Sequence, residues 1–136
     1  MSLIVSIFSF GYNKSGLPSD KSGNGGGFIF DCRFMHNPGR FEEFKFKTGK
    51  EEDVIEFIES QTVMTNFLER VYDIADMAVD NYLERNFSNL LIGFGCTGGQ
   101  HRSVYASEML AKHLRKKYPS ILLELTHREL GLTETL

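Results

Sequence analysis

The chain has 136 residues, 41% hydrophobic and 24% charged, with a formal net charge of −3; this is one domain, residues 1–136, with the composition of an ordinary soluble globule. No apolar run approaches the roughly 18 residues that span a membrane, and no charged leader region opens the chain, so membrane partners are excluded. The two cysteines, Cys32 and Cys96, form no CxxC pair, which excludes a disulfide framework or zinc site and points to a reducing cytoplasm, with no metal and no cofactor expected.

Residues Leu3 to Phe8 are β-branched and apolar and read as a first strand. Residues 13–27 read as a loop, with Gly16, Pro18 and the tract Ser22-Gly23-Asn24-Gly25-Gly26-Gly27. No Lys-Ser/Thr pair follows that tract, so it does not read as a Walker phosphate loop. Phe28 to Phe34 is the second strand; its Asp31 and Arg33, two apart, share one face at the strand end and suit a ligand pocket or a local ion pair. The segment Thr48-Gly49-Lys50-Glu51 has capping-box spacing and opens a helix through Ser60, with Val54, Phe57 and Ile58 on its apolar side. A longer helix over 65–85 places Phe67, Val71, Ile74, Ala78 and Tyr82 in the core.

Asn89 to Ile92 and Phe94 read as a buried strand, and Val104 to Lys117 as a helix burying Ala106, Leu110 and Leu114. Between them lies Gly95-Cys96-Thr97-Gly98-Gly99-Gln100-His101-Arg102-Ser103. A glycine-rich turn between a strand and a helix start converges backbone N–H groups on one point, where the helix dipole also favours an anion. Arg102 adds a bidentate fork and His101 a switchable charge. Ile121 to Thr126 is a fourth strand; if it runs parallel to the others, His127 and Arg128 emerge near the glycine loop.

Charge is unevenly distributed. Residues 51–84 hold ten acids against the single base Arg70, whereas 96–128 hold six Lys/Arg against Glu108 and Glu124. A basic half in an acidic protein suits a phosphorylated ligand or a nucleic-acid backbone, with Lys112, Arg115, Lys116 and Lys117 the candidates for RNA contact.

The stretch Gly95-Cys96-Thr97-Gly98-Gly99-Gln100-His101-Arg102-Ser103-Val104 resembles the signature of the C-terminal domain of the RNase adapter protein RapZ family, whose members are also described as P-loop nucleotide-binding proteins. The resemblance extends to Ser9-Phe10-Gly11-Tyr12, Gly16-Leu17-Pro18, Phe30 to Phe34, Asn37-Pro38 and Thr126-His127-Arg128. It implies a phosphofructokinase-like α/β subdomain acting without catalysis, binding RNA that controls amino-sugar synthesis and recognising glucosamine-6-phosphate or inorganic phosphate. The pocket it implies here is Asp31, Arg33, Thr97, Gly98, Gly99, His101 and Arg102, to which Ser103, His127 and Arg128 are added as neighbours. Family members carry their Walker motif in a separate N-terminal domain, so an ATPase-domain protein is an expected partner and ATP is not; a homo-oligomer is left open. Three positions depart from the family: Gln100 replaces a loop lysine, Gly39 replaces a histidine or aromatic, and Leu130 to Leu136 replaces a basic tail, which weakens the RNA reading.

A second reading stays open. Cys96 and Arg102 stand as C-x5-R followed by Ser103, the pattern of cysteine-dependent phosphatases, in which the thiolate attacks phosphorus. Gly95 stands where such enzymes place a histidine. The expected architecture on either reading is α/β, a mixed or parallel sheet of about four strands flanked by helices.

Overall fold

A computed structural model describes residues 2–23 and 25–136; Met1 and Asn24, the latter in the loop expected before the second strand, lie outside the described residues. Strands β1 (Ile4–Gly11), β2 (Gly25–Asp31), β3 (Asn89–Cys96), β4 (Leu122–His127) and β5 (Leu132–Thr135) form one sheet in the order β2-β3-β1-β4-β5. The first four are mutually parallel and β5 is antiparallel to β4. The helices are α1 (Glu52–Gln61), α2 (Met64–Glu84) and α3 (Arg102–Lys117). The sheet is therefore mixed and has five strands.

Strand order decides the layers. The β1-to-β2 connection moves one way across the sheet, while β2-to-β3 and β3-to-β4 move the other way. Right-handed crossovers then put the first connection on one face and the helical ones on the opposite face. Accordingly α3 packs on β1, β3 and β4, and α2 packs beside it, while residues 17–22 run over the other face. The core lies on the helix side. Val5, Ile7, Leu90, Ile92, Phe94, Leu123 and Leu125 meet Leu68, Val71, Ala75, Val79, Leu110 and Leu114. Each fully buried aliphatic side chain there stabilises by about 1.5–3 kcal/mol.

Several boundaries differ from the sequence expectation, for identifiable reasons. The second strand starts at Gly25, inside the glycine tract, because Gly25, Gly26 and Gly27 pair with Asn89, Leu90 and Leu91. A Cβ on Gly27 would sit 1.8 Å from the Leu91 carbonyl oxygen, so the close strand approach requires glycine. The same strand ends at Asp31, not Phe34, because the Arg102 guanidinium takes the carbonyls of Cys32, Arg33 and Met35. In α2 the buried stripe is Met64, Leu68, Val71, Ala75 and Val79; of the expected set Phe67, Ile74, Ala78 and Tyr82 flank it, half-buried. Leu132–Thr135, expected as part of a tail, is the fifth strand. Gly131, at φ 66°, closes the hairpin, and Thr126 faces Thr133 across it. Half of the expected Thr48 box forms: Glu51 takes Thr48 N–H, but the Thr48 hydroxyl accepts from Lys50 N–H at 3.1 Å instead of Glu51 N–H, and Glu51 is the N-cap of α1. It braces the turn before α1 rather than its first residue.

Candidate functional site

Because β1 to β4 are parallel, Gly11, Asp31, Cys96 and His127 all finish at one edge of the sheet. Between β1 and β3 the outgoing connections leave on opposite faces, the switch point at which open α/β sheets form a crevice. The glycine loop, residues 97–101, occupies it. Tyr12 N–H donates to the Cys96 carbonyl at 2.9 Å and Asn13 N–H to the Thr97 carbonyl at 3.2 Å. Gly99 has φ +72°, and a Cβ there would lie 2.4 Å from Glu129 Cγ and 2.5 Å from Gly11 N. Both the left-handed backbone and the contact demand glycine. Thr97 is exposed and Gly98 half-buried, so the crest of the loop faces solvent, just ahead of the first-turn N–H groups of α3.

The loop is fastened from two sides. Gln100 Nε2 donates to the carbonyls of Lys45 at 2.8 Å and Lys47 at 2.6 Å, and Gly49 N–H donates to the Gln100 carbonyl at 2.9 Å. Where the family resemblance expects a lysine, this chain has a side chain used to tie the loop to the 45–49 segment. His101 is 6% exposed, and its Nε2 lies 2.9 Å from the Phe44 carbonyl, which makes that nitrogen the donor. Burial pushes its pKa below the usual histidine value, so the ring is held neutral. Gly39 sits against this ring; a Cβ there would be 3.3 Å from His101 Cε1.

Arg102 is 3% exposed. Its Nη1 donates to Met35 O at 2.7 Å, Arg33 O at 3.1 Å and Cys32 O at 3.3 Å. Its Nε is buried without a hydrogen-bond partner among the described residues. No carboxylate among the described residues lies within ion-pair distance of it; its direct partners are neutral carbonyls, and its charge reaches Asp31 through space, helping to lower that carboxyl's pKa. Nearby, Arg33 grips Asp31 through Nε and Nη2 at 2.6–3.0 Å and stacks on Tyr12 with its guanidinium carbon 3.7 Å from the ring centre. The Arg33 hydrogen bonds hold the Asp31 carboxyl below its ordinary pKa. Both side chains are nearly half exposed, so this pair contributes little to stability but sets charged groups at the site's rim.

The remaining expected residues lie at different depths. Cys96 is 2% exposed, and its thiol donates to the buried Ser103 hydroxyl at 3.1 Å. His127 is 1% exposed and lies on the helix side of the sheet, with Nδ1 2.6 Å from Ser9 Oγ and Nε2 2.7 Å from Glu108 Oε2. A carboxylate on Nε2 makes that nitrogen the donor, so in the neutral ring Nδ1 accepts from the Ser9 hydroxyl. Arg128 goes to the opposite face, where Nη1 reaches the Gly16 carbonyl at 3.2 Å. Of the four basic residues on α3, Arg115 donates to the carbonyls of Tyr118, Pro119, Ile121 and Leu136, and Lys117 pairs with Asp76 at 2.7 Å. Lys112 and Lys116 are exposed and make no ion pair among the described residues.

Sequence reasoning missed Glu129. Its carboxylate takes Gly11 N–H at 3.0 Å, Ser15 N–H at 3.1 Å and the Ser15 hydroxyl, fastening the β4–β5 turn to the end of β1. Burial raises its pKa, but the hydrogen bonds from Ser15 and Gly11 outweigh that and leave it lowered. Ser9 and Glu108, which hold His127, were missed as well. The partners of Glu129 and Ser9 lie more than a hundred residues away, and Glu108 meets His127 only because α3 packs on β4, so none carries a local pattern, although Glu129 directly follows the recognised Thr126-His127-Arg128 stretch. Among the described residues no cluster of three or more His, Cys, Asp or Glu could hold a metal ion, and no helix is long and apolar enough to cross a membrane.

Comparison with known proteins bears on the same loop. A family model described as the RapZ C-terminal domain matches residues 3–131. A nucleotide-binding protein of Acetivibrio thermocellus is 38% identical over 128 residues, which is 94% of this chain and 41% of that protein. Another nucleotide-binding protein, from Endomicrobium trichonymphae, is 40% identical over 94% of this chain and 42% of its own length. A third, from Colwellia psychrerythraea, is 35% identical over 98% of this chain and 44% of its own. The chain thus spans about two fifths of the length of these curated relatives.

Proposed function

The chain belongs to the RapZ C-terminal domain family, and on that premise we propose that it is a sensing and adapter module that binds the phosphate of a small metabolite, a phosphosugar such as glucosamine-6-phosphate, over residues 97–102. One observation carries the reading: the buried guanidinium of Arg102, in no ion pair and with an Nε that has no hydrogen-bond partner among the described residues, lies at the base of a glycine loop at the sheet's switch point. A buried cation whose nearest carboxylate, Asp31, acts on it only through space is costly, and a bound anion offsets that cost. Backbone N–H groups of the loop and the α3 dipole supply the rest of the attraction, with Arg33 and Thr97 at the rim.

The reading is non-catalytic. Cys96, buried and hydrogen-bonded to Ser103, packs the strand end instead of presenting a nucleophile. RNA contact, if the adapter role includes it, falls to Lys112 and Lys116, since Arg115 and Lys117 have carbonyl and carboxylate partners. Such contact is weak and strongly salt-dependent.

The test is thermal unfolding with and without phosphate and glucosamine-6-phosphate. Both raise the melting temperature of the native chain, by mass action on the folded state. Arg102→Ala abolishes the rise. Because that variant also loses three carbonyl contacts, Arg33→Ala at the exposed rim is the second arm, and it reduces the rise while leaving the ligand-free melting temperature nearly unchanged. An undiminished rise in both variants refutes the site.

A further inference from the structure

A second cleft, of about 520 Å³, lies on the helix-free face of the sheet. Ser6, Phe8 and Leu91 line its floor, and the strap of residues 17–22 forms one wall with Lys21, while Arg128 closes an end. It is separate from the glycine loop, none of whose residues lines it. Its volume lies within the range of small-molecule pockets, which combine an apolar floor with a few polar groups.

Its charge is the informative part. Arg128 is half-buried, and a guanidinium has five N–H donors. The single hydrogen bond found for its side chain runs to the Gly16 carbonyl. Among the described residues no carboxylate pairs with Arg128 or Lys21. Two acids stand close: Asp20 lines the cleft beside Lys21, and the charge of Arg128 acts on the Glu129 carboxylate. Asp20 accepts from Ser22 N–H at 2.9 Å and from the Ser22 hydroxyl at 2.6 Å, which shapes the strap, and Glu129 is turned to Gly11 and Ser15. Ser6 Oγ reaches Glu124 at 3.4 Å, outside the cleft lining. Arg128, with N–H donors to spare, and Lys21 therefore stand at a floor containing one aromatic ring.

We propose that this cleft is a second ligand site, for a phosphorylated aromatic molecule of mononucleotide size, its phosphate on Arg128 and Lys21 and its ring on Phe8. The strap fixes one wall before the ligand arrives. Arg128 holds the strap at Gly16 and Glu129 holds it at Ser15, so both sides of the cleft are tied to the turn after β4. Preorganisation of this kind lowers the ordering cost of binding.

Amide chemical-shift titration of the chain with adenosine 5′-monophosphate, ribose 5-phosphate and adenosine tests this. The monophosphate shifts Phe8, Leu91 and the amides of 17–22, and each half-molecule binds roughly tenfold more weakly, because one of the two anchors is lost. Lys21→Glu, on the exposed strap, and Arg128→Gln each weaken the monophosphate roughly tenfold, while phosphate-induced shifts at 97–102 are unaffected by Lys21→Glu. Shifts confined to 97–102, equal response to all three probes, no response up to low millimolar concentration, or undiminished binding in both variants would overturn the proposal. Failure of the glycine-loop reading is distinguished from these outcomes by Arg33→Ala and Arg102→Ala with phosphate alone.

Discussion

At the residue scale, His101 shows how burial sets chemistry. Its ring sits beside the loop it helps to hold, donating to Phe44, and burial lowers its pKa from the ordinary 6.5. The unfolded chain therefore takes up this proton first as pH falls. Stability from this group is full above about 6.5 and is lost as pH drops through that value toward the lowered folded one. Melting temperature measured from pH 8 to pH 5 should fall on the acid side, and His101→Gln, which can still donate to Phe44, should flatten that fall. An unchanged slope in the variant would show that other groups carry it. The sequence singled out His101 and Arg102 as polar residues at the end of a glycine turn, because glycine spacing and adjacent charge are local signals. Their directions were not legible. Arg102 reads as a fork for a ligand, yet Nη1 is committed to three carbonyls after β2, and only the fold brings those carbonyls within reach.

At the element scale, α3 and β5 are joined by Arg115. Its guanidinium takes the last carbonyls around the helix end, Tyr118, Pro119 and Ile121, and that of Leu136 beside β5. A basic residue at a helix C-terminus with such partners combines charge-assisted hydrogen bonds and dipole interaction. We expect Arg115→Ala to cost about 2 kcal/mol, the range for hydrogen bonds to charged groups. Faster hydrogen exchange at Leu123 and Leu136, which pair with each other through backbone bonds, should accompany it. A loss below about 0.5 kcal/mol, as for an ordinary surface change, would contradict the capping role. The α3 helix was legible because its apolar period and Pro119 stop are strong. β5 was not, since four largely exposed residues with one leucine look like a tail until β4 offers an edge. The core stripe of α2 was displaced because its amphipathic face is broad. Phe67 and Tyr82 are apolar enough to compete with Leu68 and Val79 for the centre, and packing on the sheet decides between them.

At the scale of the whole molecule, the account rests on topology. Four parallel strands deliver their ends to one edge, reversed connections open a crevice between β1 and β3, and the glycine loop fills it above a buried cation. The helix-free face is a by-product of the same strand order and supplies the second cleft. Parallel register places the loop, the Asp31–Arg33 pair and the end of β4 on one edge; the strand–helix–strand order suggested it for β4 alone, and the sheet as a whole was left as mixed or parallel. The separation of His127 and Arg128 onto opposite faces followed only from the strand pleat. The central claim is that the loop binds a phosphosugar and does no chemistry on it. Its most direct test is amide chemical-shift titration with glucosamine-6-phosphate, following the phosphorus signal in the same tube. The account predicts saturable shifts at Thr97, Gly98, Gly99, Gln100, His101 and Arg102 and at Arg33, with the sugar phosphate recovered intact. Shifts that bypass this loop, or release of inorganic phosphate that is lost in Cys96→Ser, would contradict it.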